Sequence, residues 1–445
     1  MKTIILQIQE LEYPSTGIAY LNNKKVKLKN TLPGQIIEAK VNRGKARLIQ
    51  VVKPSEKEII SPCPVFGQCG GCRYQNISHD YELELKEEIV IKLFKDQFME
   101  NLDFSGIETC GSSHYRNKME YSFGDEYKGG PLALGLRKIN AYYEVINSED
   151  CNIVDNDFVK ILFFVQNFFK GTNEVFYSKT KHTGTLRHLV IRKGINTKEI
   201  LINLVTTSGI SEISESFVKG LVGLPLDSKI VSIMHTTNNS MSDVVQIDKI
   251  RVLYGQNFYT DTLLGLKFKI YPMTFFQTNT KGAELLYSIV KSFVQSCSKR
   301  NIIYDLYCGT GTIAQILSDM AERVYGIDLV ADSIQAAKEN AEYNNIKNCR
   351  FLAGDVKDVV QTIGELPDIV VVDPPREGLT PKALARVAEL GAPYIIYISC
   401  KPTSMVRDIE MLFQSGYRLS KLKPVDMFPK TAHVEAVALL QLHNS

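Results

Sequence analysis

The chain has 445 residues, of which 44% are hydrophobic and 23% charged; this composition excludes extended disorder and a membrane protein, and the length exceeds one compact core. The net charge of +3 is uneven: residues 1–57 hold eleven Lys and Arg against four Asp and Glu, and the remainder is slightly acidic. A basic N-terminal module suits a polyanionic partner such as nucleic acid, although a solvated basic face has the same composition.

No apolar stretch approaches the roughly 20 residues that span a bilayer, and the run from Met1 to Leu6 is broken by Gln7, Gln9 and Glu10. No export signal is expected, which points to the cytoplasm. There, nine cysteines suggest metal binding or catalysis rather than a disulfide framework.

Residues 1–56 read as five short strands, Thr3 to Glu12, Gly17 to Leu21, Lys24 to Leu28, Gln35 to Val41 and Ala46 to Lys53, punctuated by Asn22-Asn23, Pro33-Gly34 and Arg43-Gly44. So few residues bury their apolar sides best by closing into a small barrel of the oligonucleotide-binding type. Residues 57–270 open with a cysteine cluster and a helix from Tyr81 to Met99. Alternating runs at His188 to Arg192 and Glu199 to Val205 follow, which makes this stretch mixed α+β. From 271 to 445 strands alternate with helices: Ile302 to Leu306, Arg323 to Ile327, Arg350 to Leu352, Ile369 to Val372 and Tyr394 to Ser399. That order predicts an α/β, Rossmann-like parallel sheet, entered through a helix whose apolar stripe includes Leu286, Ile289, Val290 and Phe293.

The first of these strands carries Asp305 and runs into Cys308-Gly309-Thr310-Gly311-Thr312, where glycines let backbone approach a ligand. The second ends at Asp328, seventeen residues after Gly311, placed to accept hydrogen bonds from both hydroxyls of a ribose. Asp355 closes the third strand in the same way. A tight turn without a ligand would also use these glycines, and a dinucleotide fingerprint would place a third glycine where Ala314 stands.

The strand Ile369 to Val372 ends in Asp373-Pro374-Pro375-Arg376, a rigid turn that presents Asp373 to a planar ligand. The next strand delivers Cys400 to the same edge, where a helix N-terminus and Lys401 are expected to favour its thiolate. His433-Val434-Glu435 heads a last apolar run, so Glu435 is expected to have a raised pKa. One reaction uses these parts together. Carbon 5 of uracil is a poor nucleophile until a thiolate adds at carbon 6; it then attacks an electrophilic methyl group, and a base removes its proton. Cys400 fits the nucleophile and Glu435 the base. Methylation of an exocyclic amine would also use an Asp-Pro-Pro turn, but typically with an aromatic where Arg376 stands.

In these motifs the chain resembles the RNA 5-methyluridine methyltransferase family, and within it the 23S ribosomal RNA branch. The resemblance covers nearly the whole chain. It implies S-adenosylmethionine as methyl donor, contacted by Gln277, Tyr307, Asp328 and Asp373, with Cys400 as nucleophile and Glu435 as base. By spacing alone, Cys63, Cys69 and Cys72 suggest zinc or an iron-sulfur centre equally well. The resemblance makes them, with Cys151, the four ligands of a four-iron, four-sulfur cluster. Cys110, Cys297, Cys308 and Cys349 are left as ordinary thiols. The barrel is similar to the TRAM module of the ribosomal branch, and RNA is expected to lie along Tyr115 to Lys118 and Leu186 to Arg192, with its target base flipped out. A monomer is expected.

Three rivals stand beside this reading. The same chemistry on a transfer-RNA uridine is disfavoured by the barrel and the cysteine cluster. A non-catalytic RNA-binding assembly factor is disfavoured by the intact Cys400 and Glu435. Radical chemistry wants three cysteines at x3 and x2 spacing, which Cys63, Cys69 and Cys72 do not supply.

Overall fold

The computed structural model describes residues 2–42, 45–98, 102–141, 144–210, 212–241 and 248–443. The turn expected at Arg43-Gly44 and the expected helix end at Met99 lie outside the described residues. Among the described residues the chain forms sheets of six, seven and nine strands and one separate hairpin.

The N-terminal sheet has six strands rather than five, because the first expected strand breaks into Lys2–Gln7 and Glu10–Glu12. Between them Ile8 N donates to Gln35 O at 2.9 Å and Gln9 N to Ile18 O at 2.8 Å. The order is Lys2–Gln7, Ile36–Asn42, Lys45–Lys53, Lys24–Leu28, Thr16–Leu21, Glu10–Glu12. Its two outer strands are joined by only two residues, so the sheet must curl on itself around Leu6, Ile8, Val26, Leu28 and Ile37.

The seven-stranded sheet runs Val145–Ile146, Leu132–Arg137, Lys118–Asp125, Leu186–Gly194, Glu199–Thr206, Lys229–Thr237, Lys249–Gly255. Helices Asn156–Lys170 and Glu215–Val222 pack on it through Phe158, Ile161, Phe169, Phe217 and Leu221. All nine residues of Leu186–Gly194 are buried, so Arg187, His188 and Arg192 do not lie on a solvated strand face.

The C-terminal sheet holds β1 (Ile302–Leu306), β2 (Arg323–Asp328), β3 (Cys349–Ala353), β4 (Ile369–Val372), β5 (Tyr394–Ser399), β6 (Tyr417–Asp426) and β7 (Glu435–Leu442), in the order β3-β2-β1-β4-β5-β7-β6, and the short strands Asp103–Phe104 and Glu108–Thr109 complete the nine by pairing with β6. Strands β1 to β5 are parallel as expected, while β7 runs antiparallel to both β5 and β6. Strand β6 is absent from the sequence reading. Its register shifts between Leu419 and Lys421, a bulge that breaks the period-two alternation by which strands are found.

The helix His79–Phe98, which the sequence places with residues 57–270, packs instead on the C-terminal sheet, where Val90, Phe94 and Phe98 join Tyr397, Ile409 and Leu422. A buried ionic cluster fastens it there. Lys86 Nζ lies 2.7 Å from Glu82 Oε1 and 2.7 Å from Asp426 Oδ1 at the end of β6, and Lys430 N donates to Glu82 Oε1 at 2.6 Å. Lys86 is 1% exposed and both carboxylates are fully buried. Lys86→Met removes the shared cation from two buried acids, so it should destabilise the fold by about 3–5 kcal/mol. A thermal melt unchanged from the parent would refute this account of the cluster.

Candidate active site

Sheet register assembles the site. Leu306 pairs with Ile327 and with Val372, so one residue further Asp328, Tyr307 and Asp373 stand side by side on β2, β1 and β4 at the carboxyl edge. Tyr307 has φ +65, a left-handed conformation unusual for a bulky residue, and turns the chain sharply into the glycine loop. The loop is fixed by Cys308 N donating to Ile327 O (3.1 Å) and Gly309 N donating to Asp328 Oδ2 (3.0 Å). The two glycines differ in role. A Cβ at Gly311 would meet Phe351 at 2.5 Å, so that glycine serves packing, whereas a Cβ at Gly309 meets nothing within 4 Å and leaves the strand end approachable. Asp328 also accepts from Val330 N at 2.9 Å; a carboxylate has further lone pairs for a ligand's hydroxyls. Asp355 follows the third strand as expected, caps a short helix by accepting from Lys357 N, pairs with Lys357 Nζ at 2.9 Å, and with burial raises the Tyr307 hydroxyl pKa.

The same logic joins the other two residues. Strand β5 pairs with β7 so that Ser399 faces Ala436, and the next step of that antiparallel register sets Cys400 opposite Glu435. Reversal of β7 is what brings the head of an apolar run to the edge where parallel strands end. Directly opposed residues of neighbouring strands keep their Cβ atoms about 4.5–5.5 Å apart.

Burial sets the electrostatics. Glu435 is buried and its carboxyl is pushed up to about 8, by desolvation first and then by Asp373, against the pull of Arg376. Burial raises Asp373 to about 6. Burial, Glu435 and Asp373 together push the Cys400 thiol up to about 11, while Arg376 pulls it down. The expected help from Lys401 is therefore corrected: Lys401 Nζ sits 3.8 Å from Glu377, and the cation acting on the sulfur is Arg376. Arg376 is held by its backbone, whose carbonyl accepts from Ser404 Oγ at 2.8 Å. Gln277 arrives from the loop before helix Thr280–Ser296; its carbonyl accepts from Asn117 Nδ2 at 3.1 Å, and its side chain lowers the pKa of the buried Tyr287 hydroxyl, which burial raises.

A family model described as tRNA (Uracil-5-)-methyltransferase matches residues 248–443. An uncharacterized RNA methyltransferase of Clostridium tetani is 44% identical over 98% of this chain and 97% of its own length, and one of Clostridium acetobutylicum is 45% identical over 98% and 96%. The chain belongs to the RNA (uracil-5-)-methyltransferase family. Among solved structures this methyltransferase is similar to Pyrococcus abyssi tRNA (uracil-54, C5)-methyltransferase in complex with S-adenosyl-L-homocysteine, with a TM-score of 0.78, 25% identity, and coverage of 98% of this chain and 100% of that one.

Elsewhere in the methyltransferase, Cys63, Cys69, Cys72 and Cys151 line one cavity with Val65, Phe66, Gln75 and Ile153. Gly71 N donates to Cys69 Sγ at 3.3 Å and Gln75 Nε2 to Cys72 Sγ at 3.4 Å, the kind of donors that bound thiolates receive. The two expected RNA segments are partly structural. Tyr115 OH donates to Pro429 O (2.9 Å), Asn117 Nδ2 to Thr280 Oγ1 (2.9 Å), and Arg187 Nη1 to Asn238 O (2.8 Å) and Ser240 O (2.7 Å). Arg116, Lys118 and Arg192 form a cationic group beside the Gln277 loop: burial, Arg192 and Arg116 together lower the Lys118 pKa, and Arg192 donates to Thr274 O at 2.9 Å. The sequence reading missed Tyr287, which feels Asp373, Asp305 and Glu435. Its only sequence signal is an apolar helical stripe, which identifies core and not site.

Proposed function

We propose that this methyltransferase transfers a methyl group from S-adenosylmethionine to carbon 5 of a uridine in 23S ribosomal RNA, through a covalent bond between Cys400 and carbon 6. The observation that carries the reading is the register facing Cys400 with Glu435, with Arg376 on the sulfur. Gln277, Tyr307, Asp328 and Asp373 hold the donor; the free lone pairs of Asp328 suit ribose hydroxyls, and Gly309 admits the ligand. When bound, S-adenosylmethionine supplies the electrophilic methyl carbon. Cys400 releases its thiol proton to solvent and adds through sulfur to carbon 6, with Arg376 offsetting the negative charge. Carbon 5 would then take the methyl group, with S-adenosylhomocysteine leaving as the sulfur–methyl bond breaks; Glu435 takes the carbon 5 proton, and the Cys400–carbon 6 bond breaks to restore the ring.

Four cysteine thiols on one cavity, without histidine, fit a soft-metal centre, and we assign them to a four-iron, four-sulfur cluster with a structural role. Cys69→Ser should then lose bound iron and lower the melting temperature more than it lowers turnover per folded molecule. A cluster-free protein of parental stability and no activity would contradict a structural role. The barrel acts as a TRAM-like RNA-binding module in residues 1–56, the cluster and RNA-binding region spans 57–270, and the catalytic region spans 271–445. The enzyme works as a cytoplasmic monomer; no helix among the described residues is long and apolar enough to cross a membrane. A second reading, the same chemistry on a transfer-RNA uridine, is favoured by the likeness to the Pyrococcus abyssi tRNA (uracil-54, C5)-methyltransferase. Radiolabelled S-adenosylmethionine incubated with unmodified 23S RNA or bulk transfer RNA, followed by nucleoside analysis, separates them: the expected result is labelled 5-methyluridine from 23S RNA. Label in transfer RNA alone overturns the substrate, and label in neither overturns the reading.

The pH profile has a defined sign. A general base must be unprotonated, and the raised Glu435 holds its proton until pH approaches about 8. The value of kcat/KM should therefore climb between pH 6 and 8, and a flat or falling profile over that range would exclude Glu435 as the base.

A further inference from the structure

One turn of the N-terminal barrel reaches the reaction centre. Glu12 pairs with Thr16, so Tyr13-Pro14-Ser15 forms the tip of a tight hairpin. That tip is tied to the segment leading into β7. Arg73 Nε donates to Ser15 Oγ at 3.1 Å, and Arg73 N and Tyr74 N both donate to Lys430 O, at 2.6 and 3.1 Å. The hairpin is anchored further back by Lys92 Nζ on Glu10 at 2.8 Å and by Leu11, which packs with Tyr74, Ile77 and Leu85. Tyr13 packs at the border of that apolar cluster and is half-buried.

Through that tie Tyr13 stands within electrostatic reach of the chemistry. Cys400, Glu435 and Arg376 all act on its hydroxyl: burial first, then Cys400 and Glu435, push it up to about 12 against the pull of Arg376. The phenol thus stays neutral and able to donate throughout the enzyme's working range. It brings an aromatic face, on a rigid turn of a basic module, to the place where a uracil must be presented.

We propose that Tyr13 is a substrate-contacting specificity residue: its ring closes the outer side of the uridine pocket and stacks on the unpaired base presented to Cys400. An aromatic face suits a flipped or single-stranded base because stacking needs no hydrogen-bond match. The barrel then takes part in selecting the nucleotide, beyond supplying charge, and an RNA that does not engage it presents its uridine poorly. This inference rests on the reading of the chain as a uridine methyltransferase.

The test compares Tyr13→Ala, Tyr13→Leu and Tyr13→Phe with the parent, using 23S RNA and labelled S-adenosylmethionine, with filter binding of the same RNA as a second readout. Loss of the ring should lower kcat/KM for RNA by roughly 10- to 100-fold, mainly through KM, and weaken RNA retention in parallel. The KM for S-adenosylmethionine should not move, and Tyr13→Phe should keep most of the parental value. Parental kinetics and RNA affinity in Tyr13→Ala overturn the inference, as does a Phe variant as impaired as the Ala variant. If Tyr13→Ala melts early, Tyr13→Leu, which refills the apolar contact, carries the comparison. A parent that methylates no RNA overturns the functional reading separately, and the RNA affinity of Tyr13→Leu against the parent still decides the contact.

Discussion

Cys400→Ala should form no detectable 5-methyluridine, with kcat reduced by roughly four to six orders of magnitude, as when a nucleophile is removed from a covalent mechanism. The size follows from the substrate. Without a thiolate at carbon 6, carbon 5 of uracil has too little electron density to attack a methyl group. Folding should be little affected, since the Cys400 side chain is half-buried at a strand end. The measurement is single-turnover methylation with circular dichroism as a control. A folded Cys400→Ala protein within tenfold of the parent would sink the covalent mechanism and leave direct methyl transfer.

Glu435→Gln should behave differently, and the difference separates base from nucleophile. Addition of Cys400 and methyl transfer need no base at carbon 5, but elimination does. The variant should therefore lose about two to four orders of magnitude in turnover while accumulating a protein–RNA adduct that survives denaturing electrophoresis. Normal turnover, or lost turnover without any adduct, would remove Glu435 from the role. The same substitution carries a stability signature. An exposed glutamate ionises near pH 4.5, whereas buried Glu435 keeps its proton to about 8, so the folded state binds more protons across that window and loses stability as pH rises through it. Glutamine has no charge to bury, and Glu435→Gln should raise the melting temperature at pH 8 more than at pH 4.5.

Much of this was legible in the chain. Strands β1 and β5 are found at the residues expected, and β4 ends at the Asp-Pro-Pro turn, because fully buried parallel strands read as short apolar runs bounded by turn residues. The raised pKa expected of Glu435 follows from its place at the head of such a run. Other features resisted. Strand β6 hides behind a bulge, the first barrel strand breaks at Ile8 and Gln9, and the helix His79–Phe98 gives no sign of the sheet it joins, since an apolar stripe does not name its partner.

What the sequence determined by itself is the set of chemical groups and their nearness to strand ends: Asp328, Asp373 and Cys400 each follow or terminate a short apolar or alternating run and Glu435 heads one, and local pattern marks those places. Which groups meet was decided by tertiary structure. The antiparallel insertion of β7 between β5 and β6 sets Glu435 opposite Cys400 from 35 positions away. Arg376 rather than Lys401 is the cation on the sulfur, and the Tyr13 hairpin is tied beside them by hydrogen bonds from Arg73 and Tyr74. The physical reason is that pairing register, burial and field are properties of neighbours in space. A one-residue step along a strand reverses which face a side chain occupies, and removal from water shifts a carboxyl by several pH units, whereas local sequence encodes neither the neighbour nor the depth.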